Sequence, residues 1–243
     1  MGLFTRKTPH TAGEVDRSRL PRHIAVIMDG NGRWAKKRGL PRTAGHKAGA
    51  EVFRDIATYC RELGVEYLTV YAFSTENWKR PADEVVAIMG LLEQYLHEAI
   101  DTMKKDHIRL RFFGDLSALS PELQALAHRT GDISGQYQGF QANICLNYGG
   151  RAEILRAAQR CAAQGLDWTE EAFSDNLWSA GIPDPELVIR PGGEMRLSNF
   201  LLWQCAYSEF YFCDTLWPDF TRQELDRAII EYQGRDRRFG GVK

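Results

Sequence analysis

No stretch of this 243-residue chain stays apolar over the ~20 residues that a membrane-crossing helix needs, which excludes an integral helical membrane protein. Residues 1–16 are polar and mildly basic, with no hydrophobic segment of signal-peptide length, and 1–18 is expected to be a flexible N-terminal tail. Gly2 does not open a myristoylation signal, because Arg6 stands where that pattern requires Ser or Thr. There is no Cys-x-x-Cys pair. Cys60, Cys145, Cys161, Cys205 and Cys213 are far apart, mostly in apolar surroundings, and are expected to be reduced core residues of a cytoplasmic protein. Neither sign of charge is in excess: a net charge of −1 argues against nucleic acid held on a broad basic face, although local clusters can serve a small polyanion. Lysine is scarce, 8 against 23 arginines, a bias that suits bidentate phosphate recognition and that a GC-rich genome would also produce. Internal repeats and low-complexity linkers are absent as well. With 44% hydrophobic residues the chain can bury one sizeable core, so a single α/β domain over 19–243 is expected.

The densest chemistry lies within 23–46. The apolar run Ile24-Ala25-Val26-Ile27-Met28 reads as a buried strand and stops at Asp29-Gly30-Asn31-Gly32-Arg33-Trp34. Two glycines flanking Asn31 allow a tight turn whose N–H groups form a concave site for an anion such as phosphate. A carboxylate about 4 Å from a phosphate is repelled by roughly 4 kcal/mol at an effective dielectric of 20, so Asp29 at that site calls for a compensating charge. A divalent cation held jointly by Asp29 and phosphate oxygens supplies it, as Mg²⁺ commonly does. The plainer alternative is a strand-to-helix turn with Asp as a cap. Against it stand Arg33, Lys36, Lys37, Arg38, Arg42, His46 and Lys47, more positive charge than a turn needs.

Further along, a helical period predicts a helix over 43–63, capped by Thr43 and stopped by Gly64, and then a strand over 67–73. Strand, helix, strand implies a right-handed parallel crossover, and ligands collect beyond the carboxyl ends of such strands. The second strand delivers Ser74-Thr75-Glu76-Asn77-Trp78-Lys79-Arg80-Pro81 to that edge: hydroxyls, an amide, a carboxylate, an indole and an arginine together. The stretch 83–105 is a long helix whose apolar stripe is wider than one packing seam requires; core packing and the wall of a hydrophobic tunnel both account for it. A strand over 108–113, helices over 121–129, 152–163 and 168–180, a strand over 140–148 and a rigid turn at Pro183-Asp184-Pro185 complete the middle of the chain.

A second anion-binding pattern follows the strand Leu187-Val188-Ile189. Arg190 and Arg196 flank the Gly192-Gly193 turn, and Ser198 can cap a following helix and donate to an anion at its N-terminus. Glu209 is a lone carboxylate among aromatic neighbours, and 235–241 is strongly basic.

Asp29 through Trp34, Gly45-His46, Phe73 through Trp78 with Arg80-Pro81, Asn147-Tyr148-Gly149-Gly150-Arg151 and Arg190 through Phe200 together resemble the cis-prenyltransferases, within them the bacterial undecaprenyl diphosphate synthases. Five motifs in family order cover nearly the whole chain. The resemblance implies Z-condensation of successive isopentenyl diphosphates onto an allylic diphosphate, typically farnesyl diphosphate. The expected product is a long-chain polyprenyl diphosphate such as undecaprenyl diphosphate, precursor of the lipid carrier for cell-wall synthesis. It also implies Mg²⁺, a homodimer and peripheral contact with the inner face of the membrane for product release. By family pattern Asp29 is the Mg²⁺-binding catalytic aspartate, and Asn77 is the residue assigned to proton removal. Gly30, Asn31, Gly32, Arg33, Trp34, Arg42 and His46 form the allylic diphosphate cradle. Ser74, Thr75, Glu76, Trp78 and Arg80 surround Asn77. Arg190, Arg196, Leu197 and Ser198 match the isopentenyl diphosphate site, Glu209 a carboxylate implicated in metal binding, and Arg238-Phe239-Gly240 a C-terminal motif that crosses the dimer. One departure is Pro191, where the family has Thr or Ser; it removes a hydroxyl and a backbone donor and bears on isopentenyl diphosphate affinity. The expected fold is α/β: a single domain with a central, mostly parallel six-stranded sheet flanked by helices, and a hydrophobic tunnel.

Two rival readings stay in view. A phosphohydrolase with an aspartyl nucleophile would want a second acid two residues on, where this chain has Asn31. A non-catalytic isoprenoid-binding subunit of related systems would lack the catalytic aspartate, and Asp29 is present. The all-helical trans-prenyl synthases hold Mg²⁺ with Asp-Asp-x-x-Asp, and no two aspartates are adjacent here.

Overall fold

Three consecutive buried residues, Ile24, Ala25 and Val26, form the middle of the central strand β1 (His23–Ile27), around which the other elements are arranged. A computed structural model describes residues 13–235 of the chain. The element order continues α1 (Asn31–Lys37), α2 (Arg42–Leu63), β2 (Tyr67–Ser74), α3 (Ala82–Asp106), β3 (Arg109–Phe113), α4 (Pro121–Gly135), β4 (Gln141–Tyr148), α5 (Gly150–Gln164), α6 (Glu170–Ser174), β5 (Leu187–Arg190), β6 (Glu209–Phe212) and α7 (Arg222–Gln233).

The six strands form one sheet in the order β3-β4-β2-β1-β5-β6, and all five strand pairings are parallel. The sheet is therefore wholly rather than mostly parallel among the described residues. Strands β1, β4 and β5 are buried along their whole length, whereas the edge strands β3 and β6 are partly exposed, which explains why β1 and β5 read as continuous apolar runs without alternation. Every strand points its carboxyl end to the same edge. The chain steps from β1 to β2 on one side and later returns to place β5 on the other, so β1 is the point where strand order reverses and a crevice opens.

Several boundaries differ from the sequence reading for identifiable reasons. Helix α2 starts at Arg42 after Pro41, and Thr43 lies inside it; Gly64 ends it as expected, in the left-handed conformation, with its N–H bonded to the Cys60 and Arg61 carbonyls. The segment 168–180 is not one helix. Thr169 caps α6 through Ala172 N–H, but Asn176 Nδ2 takes the Ala172 carbonyl at 2.9 Å, a side-chain bond that competes with helix propagation. At the expected boundary near residue 18, Asp16 and Arg19 exchange hydrogen bonds with Gln233 at the end of α7. Residues 1–12 and the Arg238-Phe239-Gly240 motif lie outside the described residues.

Candidate functional site

Gly30 makes the turn out of β1 possible. Its φ of 107° is left-handed, and it caps α1 without a side chain; a Cβ there would lie 2.9 Å from Leu216 Cδ2. The expected loop is thus a short helix, whose first N–H groups have no acceptor within the helix. Helix α2 crosses α1 closely at Gly45, where an added Cβ would sit 2.0 Å from the Asn31 carbonyl oxygen. Asn31 is held against α2 in this way, and its Oδ1 is buried without a partner among the described residues.

Asp29 stands at the centre of the crevice between two arginines. Arg33 Nη2 lies 3.0 Å from its Oδ1, and Arg190 Nη2 lies 3.0 Å from its Oδ2. Two guanidinium groups on one carboxylate leave the spot net positive. Part of the charge compensation that the sequence reading assigned to a cation is therefore supplied by the protein. Arg190 is 4% exposed, donates to Ser198 Oγ at 2.8 Å and to the Arg196 carbonyl, and keeps a buried Nε without a partner among the described residues. That nitrogen has capacity for one more acceptor.

The second cradle differs in detail from expectation. Gly192 and Gly193 have φ of 95° and 77°, but their N–H groups donate to the Thr215 and Cys213 carbonyls, so side chains must do the anion binding. Gly192 is needed for another reason: a Cβ there would lie 2.7 Å from Arg33 Nη2, whose guanidinium crosses to donate to the Gly192 carbonyl at 2.6 Å. Ser198 caps no helix; it sits in a turn with φ 50°. Arg196 is exposed and pairs with Glu194, and Leu197 packs on the cluster containing Phe200. Pro191 falls where β5 ends, so its missing N–H interrupts no strand pairing.

The residues expected to form the allylic cradle are organised by one that the sequence reading passed over. Glu84, 4% exposed in the first turn of α3, contacts Arg80 Nη1 at 2.7 Å, Arg42 Nε at 3.0 Å and His46 Nε2 at 3.1 Å. Burial pushes its carboxyl up, but the bonds from His46 and Arg80 and the two arginine charges outweigh this and hold it below its ordinary range. Burial lowers the His46 pKa, and the Glu84 bond offsets this only in part. The available signal was spacing: Arg42 and His46 share a face of α2, and Arg80 precedes Glu84 by one helical turn.

After β2, Thr75–Lys79 forms a short turn of 3₁₀ helix with Ser74 as its N-cap. Asn77 Oδ1 accepts from Ser74 N–H at 3.1 Å, Trp78 Nε1 donates to Asn147 Oδ1 at 2.7 Å, and Glu76 Oε1 accepts from Asn199 Nδ2 at 3.0 Å. Thr75 Oγ1 abuts Gly149, where an added Cβ would sit 2.9 Å away. Trp34 turns towards the 217–219 turn and donates to Asp219 at 2.7 Å beneath Arg38. The structure does not bring Glu209 to Asp29 within this chain. Glu209 pairs in register with Leu187 at the opposite edge of the sheet and binds Arg235 at 2.6 Å. Among the described residues no three His, Cys, Asp or Glu side chains converge as a metal site.

Beside Asn31 and His46 opens an apolar cavity of about 420 Å³ between α2, α3 and the sheet. Its walls include Ala72, Leu92 and Leu96, and Phe140 with Ile108 lies at the far end. The wide stripe of α3 therefore faces this cavity as well as the core. Leu146 does not line it; that residue is buried higher on β4, beside Phe73.

Two clusters of arginines at the carboxyl edge of a parallel sheet, with an apolar cavity beside them, suit molecules with a charged head and a hydrocarbon body. The match to the undecaprenyl diphosphate synthase family of prenyltransferases spans residues 27–240, and the chain belongs to that family. An isoprenyl transferase of Heliobacterium mobile is 52% identical over 95% of this chain and 91% of its own length. One from Clostridium perfringens is 47% identical over the whole of both chains. Lavandulyl diphosphate synthase from Lavandula x intermedia, solved with dimethylallyl diphosphate, superposes with a TM-score of 0.88 at 34% identity, covering 92% of this chain and all of that one. A probable undecaprenyl diphosphate synthase from Campylobacter jejuni gives 0.79 at 38% identity, over 91% and 99%.

Proposed function

We propose that this prenyl-elongating enzyme condenses isopentenyl diphosphate, with Z geometry at each step, onto an allylic diphosphate, farnesyl diphosphate. Its product is then undecaprenyl diphosphate, precursor of the lipid carrier for cell-wall synthesis. The observation that carries this reading is the position of Asp29, held between Arg33 of one anion site and Arg190 of the other, beside the apolar cavity.

Breaking the allylic carbon–oxygen bond leaves a carbocation and a highly charged diphosphate. Arg33, Arg42 and the first N–H groups of α1 are arranged in advance to stabilise that charge as it develops. Arg190, Arg196 and Ser198 hold isopentenyl diphosphate with its double bond towards the allylic carbon. Asn77, oriented through its bond from Ser74 N–H, assists removal of the proton that is lost as the new double bond forms, and the released diphosphate takes up that proton. The apolar cavity begins the tunnel that takes up the growing chain. A single partly exposed carboxylate, Asp29 at 27% side-chain exposure, fits a Mg²⁺ that arrives with the diphosphate better than a resident ion. When bound, that Mg²⁺ adds Lewis-acid stabilisation of the diphosphate charge. Glu209 reaches a metal only through a partner subunit, in keeping with a homodimer. A cytoplasmic enzyme that touches the inner face of the membrane for product release completes the reading; no helix among the described residues is long and apolar enough to cross a membrane.

The test is incubation with farnesyl diphosphate and labelled isopentenyl diphosphate, with and without Mg²⁺, followed by thin-layer chromatography. Mg²⁺-dependent long-chain product is expected. Release of inorganic phosphate without elongation would point to a phosphohydrolase, and binding without turnover to a non-catalytic subunit.

A further inference from the structure

We infer that Asn199 is a positioning residue: it clips the loop of the isopentenyl site to the turn carrying Glu76, Asn77 and Trp78, and so sets the distance between the two halves of the condensation. The inference rests on the two-substrate reading above and assigns a role to a side chain outside both cradles.

Asn199 uses three of its polar atoms on the turn after β2 and on the first residues of α5. Its Nδ2 donates to Glu76 Oε1 at 3.0 Å, its Oδ1 accepts from Arg151 N–H at 2.9 Å, and its backbone carbonyl accepts from Gly150 N–H at 2.7 Å. On its N-terminal side stands Ser198, whose hydroxyl accepts from Arg190 at 2.8 Å, and Arg190 in turn holds Asp29. Contacts thus run without a gap from Asp29 through Arg190 and Ser198 to Asn199, and on to Glu76 beside Asn77. The next residue, Phe200, is fully buried and stacks on Tyr71 with ring centroids 4.7 Å apart, which anchors the loop against β2 from below.

The backbone agrees with a clip under load. Ser198, Asn199 and Leu201 all have positive φ, at 50°, 65° and 41°, a region that non-glycine residues adopt at a cost and asparagine tolerates better than most. Such a run persists where surrounding bonds over-determine it. Space is also exhausted: a Cβ on Gly149 would lie 2.7 Å from Asn199 Nδ2 and 2.9 Å from Thr75 Oγ1. The loop after β5, the turn after β2 and the start of α5 meet at this amide. Burial raises the Glu76 carboxyl, but its own backbone N–H, Asn199, Ser74 and Thr75 outweigh that and hold it below its ordinary range, so it is an ionised acceptor for the clip.

Condensation needs the reacting carbons and the proton acceptor aligned together, and a misplacement of about 1 Å costs about 10²-fold in rate. The experiment compares steady-state elongation by Asn199→Asp, Glu76→Gln, the double variant of these two, Asn199→Gly and Asn199→Gly combined with Glu76→Gln with wild type. In Asn199→Asp the carboxylate still accepts from Arg151 N–H but cannot donate to Glu76 and repels it. The double variant restores the bond with its direction reversed, the new amide donating to the new carboxylate. Asn199→Gly deletes the side chain while tolerating the left-handed backbone, so it separates loss of the clip from loss of the fold. We expect kcat to fall about 10²-fold in Asn199→Asp and in Asn199→Gly, with KM for isopentenyl diphosphate little changed. Adding Glu76→Gln should recover about tenfold of kcat in the Asp background and nothing in the Gly background. The inference is overturned if the double variant shows only the product of the two single losses. It is equally overturned if kcat in Asn199→Gly is unchanged, or if the loss appears in KM alone, which would make Asn199 a substrate-binding residue. Elongation by the wild type decides the functional reading separately, since these outcomes are ratios among variants of an active enzyme.

Discussion

Replacing Phe140 by Ala should lengthen the product. Phe140 is 6% exposed immediately before β4, at the end of the apolar cavity farthest from Asn31 and His46. On its other side lies a separate polar cavity of about 450 Å³, lined by Arg61, Glu66, Arg109 and Gln141. Phe140 lines both and separates them. Each added isoprene unit carries five carbons, and burying them at about 0.8 kcal/mol per carbon favours elongation by about 4 kcal/mol while apolar space remains. A unit with no apolar space forfeits that term, which corresponds to about 10³-fold at 1.36 kcal/mol per decade. Elongation should therefore stop within one or two units of the floor. Removing the phenyl group moves the floor outward, so the chain should gain at least one unit before its end meets polar surface. The fold pays for the change, about 3–5 kcal/mol for a buried Phe→Ala, so the assay belongs well below the variant's melting temperature. Product lengths read by thin-layer chromatography or mass spectrometry decide the matter. An unchanged distribution with activity retained would refute the reasoning and leave the stripe on α3 as ordinary core. Ala72 also lines the cavity, nearer the diphosphate sites, and Ala72→Leu should shorten the product. Leu146 does not line it, and Leu146→Ala should leave length unchanged.

Three further outcomes are expected. Asp29→Ala should lower turnover by orders of magnitude while farnesyl diphosphate still binds in equilibrium titration; trapping of a phospho-aspartyl adduct in the wild type would show the prenyl-transfer mechanism to be wrong. Arg190→Ala or Arg196→Ala should raise KM for isopentenyl diphosphate far more than for the allylic substrate, and Arg42→Ala the reverse; equal effects on both would dissolve the assignment of the two cradles. His23 is buried with its ring between Pro183 O and Thr69 Oγ1 at 2.7 Å each, and burial pushes its pKa down to about 4. Its folded pKa lies below the unfolded value of about 6.5, so the fold holds the neutral ring, and stability present above the unfolded pKa is lost as pH falls towards about 4. The loss amounts to about 3 kcal/mol. Urea unfolding of wild type and His23→Gln at pH 7 and pH 4.5 checks this, and an equally steep loss in both would refute it.

The elements that could be read from the chain are those whose signal is local. The apolar run of β1 and the period of α2 depend on residues within one element, and the left-handed glycine that ends α2 does too. The sites lay at strand ends because parallel crossovers leave nowhere else for such loops. What could not be read depends on partners far away in sequence. Helix α6 stops early because Asn176 takes a helix carbonyl, after which Trp178 N–H is free to donate to Glu153 at 2.9 Å, a contact without any local trace. Glu84 looked like an acid at a helix start, favourable for the dipole, until α2 and the end of β2 were folded around it. The Gly192-Gly193 turn looked like an anion-binding backbone, but the loop after β6 uses its N–H groups.

Arg190 lies 161 residues from Asp29 along the chain, although the two side chains touch. A folding intermediate built from β1, α1, α2 and β2 would hold Asp29 and Arg33 but no second anion site, since β5 joins β1 only when the late third of the chain has docked. Domains fold as units and from the N-terminus first during synthesis. Under the proposed function, the centre that would bring two diphosphates together thus closes among the last parts of the molecule to form, and a nascent chain carries one of its two arginine clusters and no means of joining two substrates.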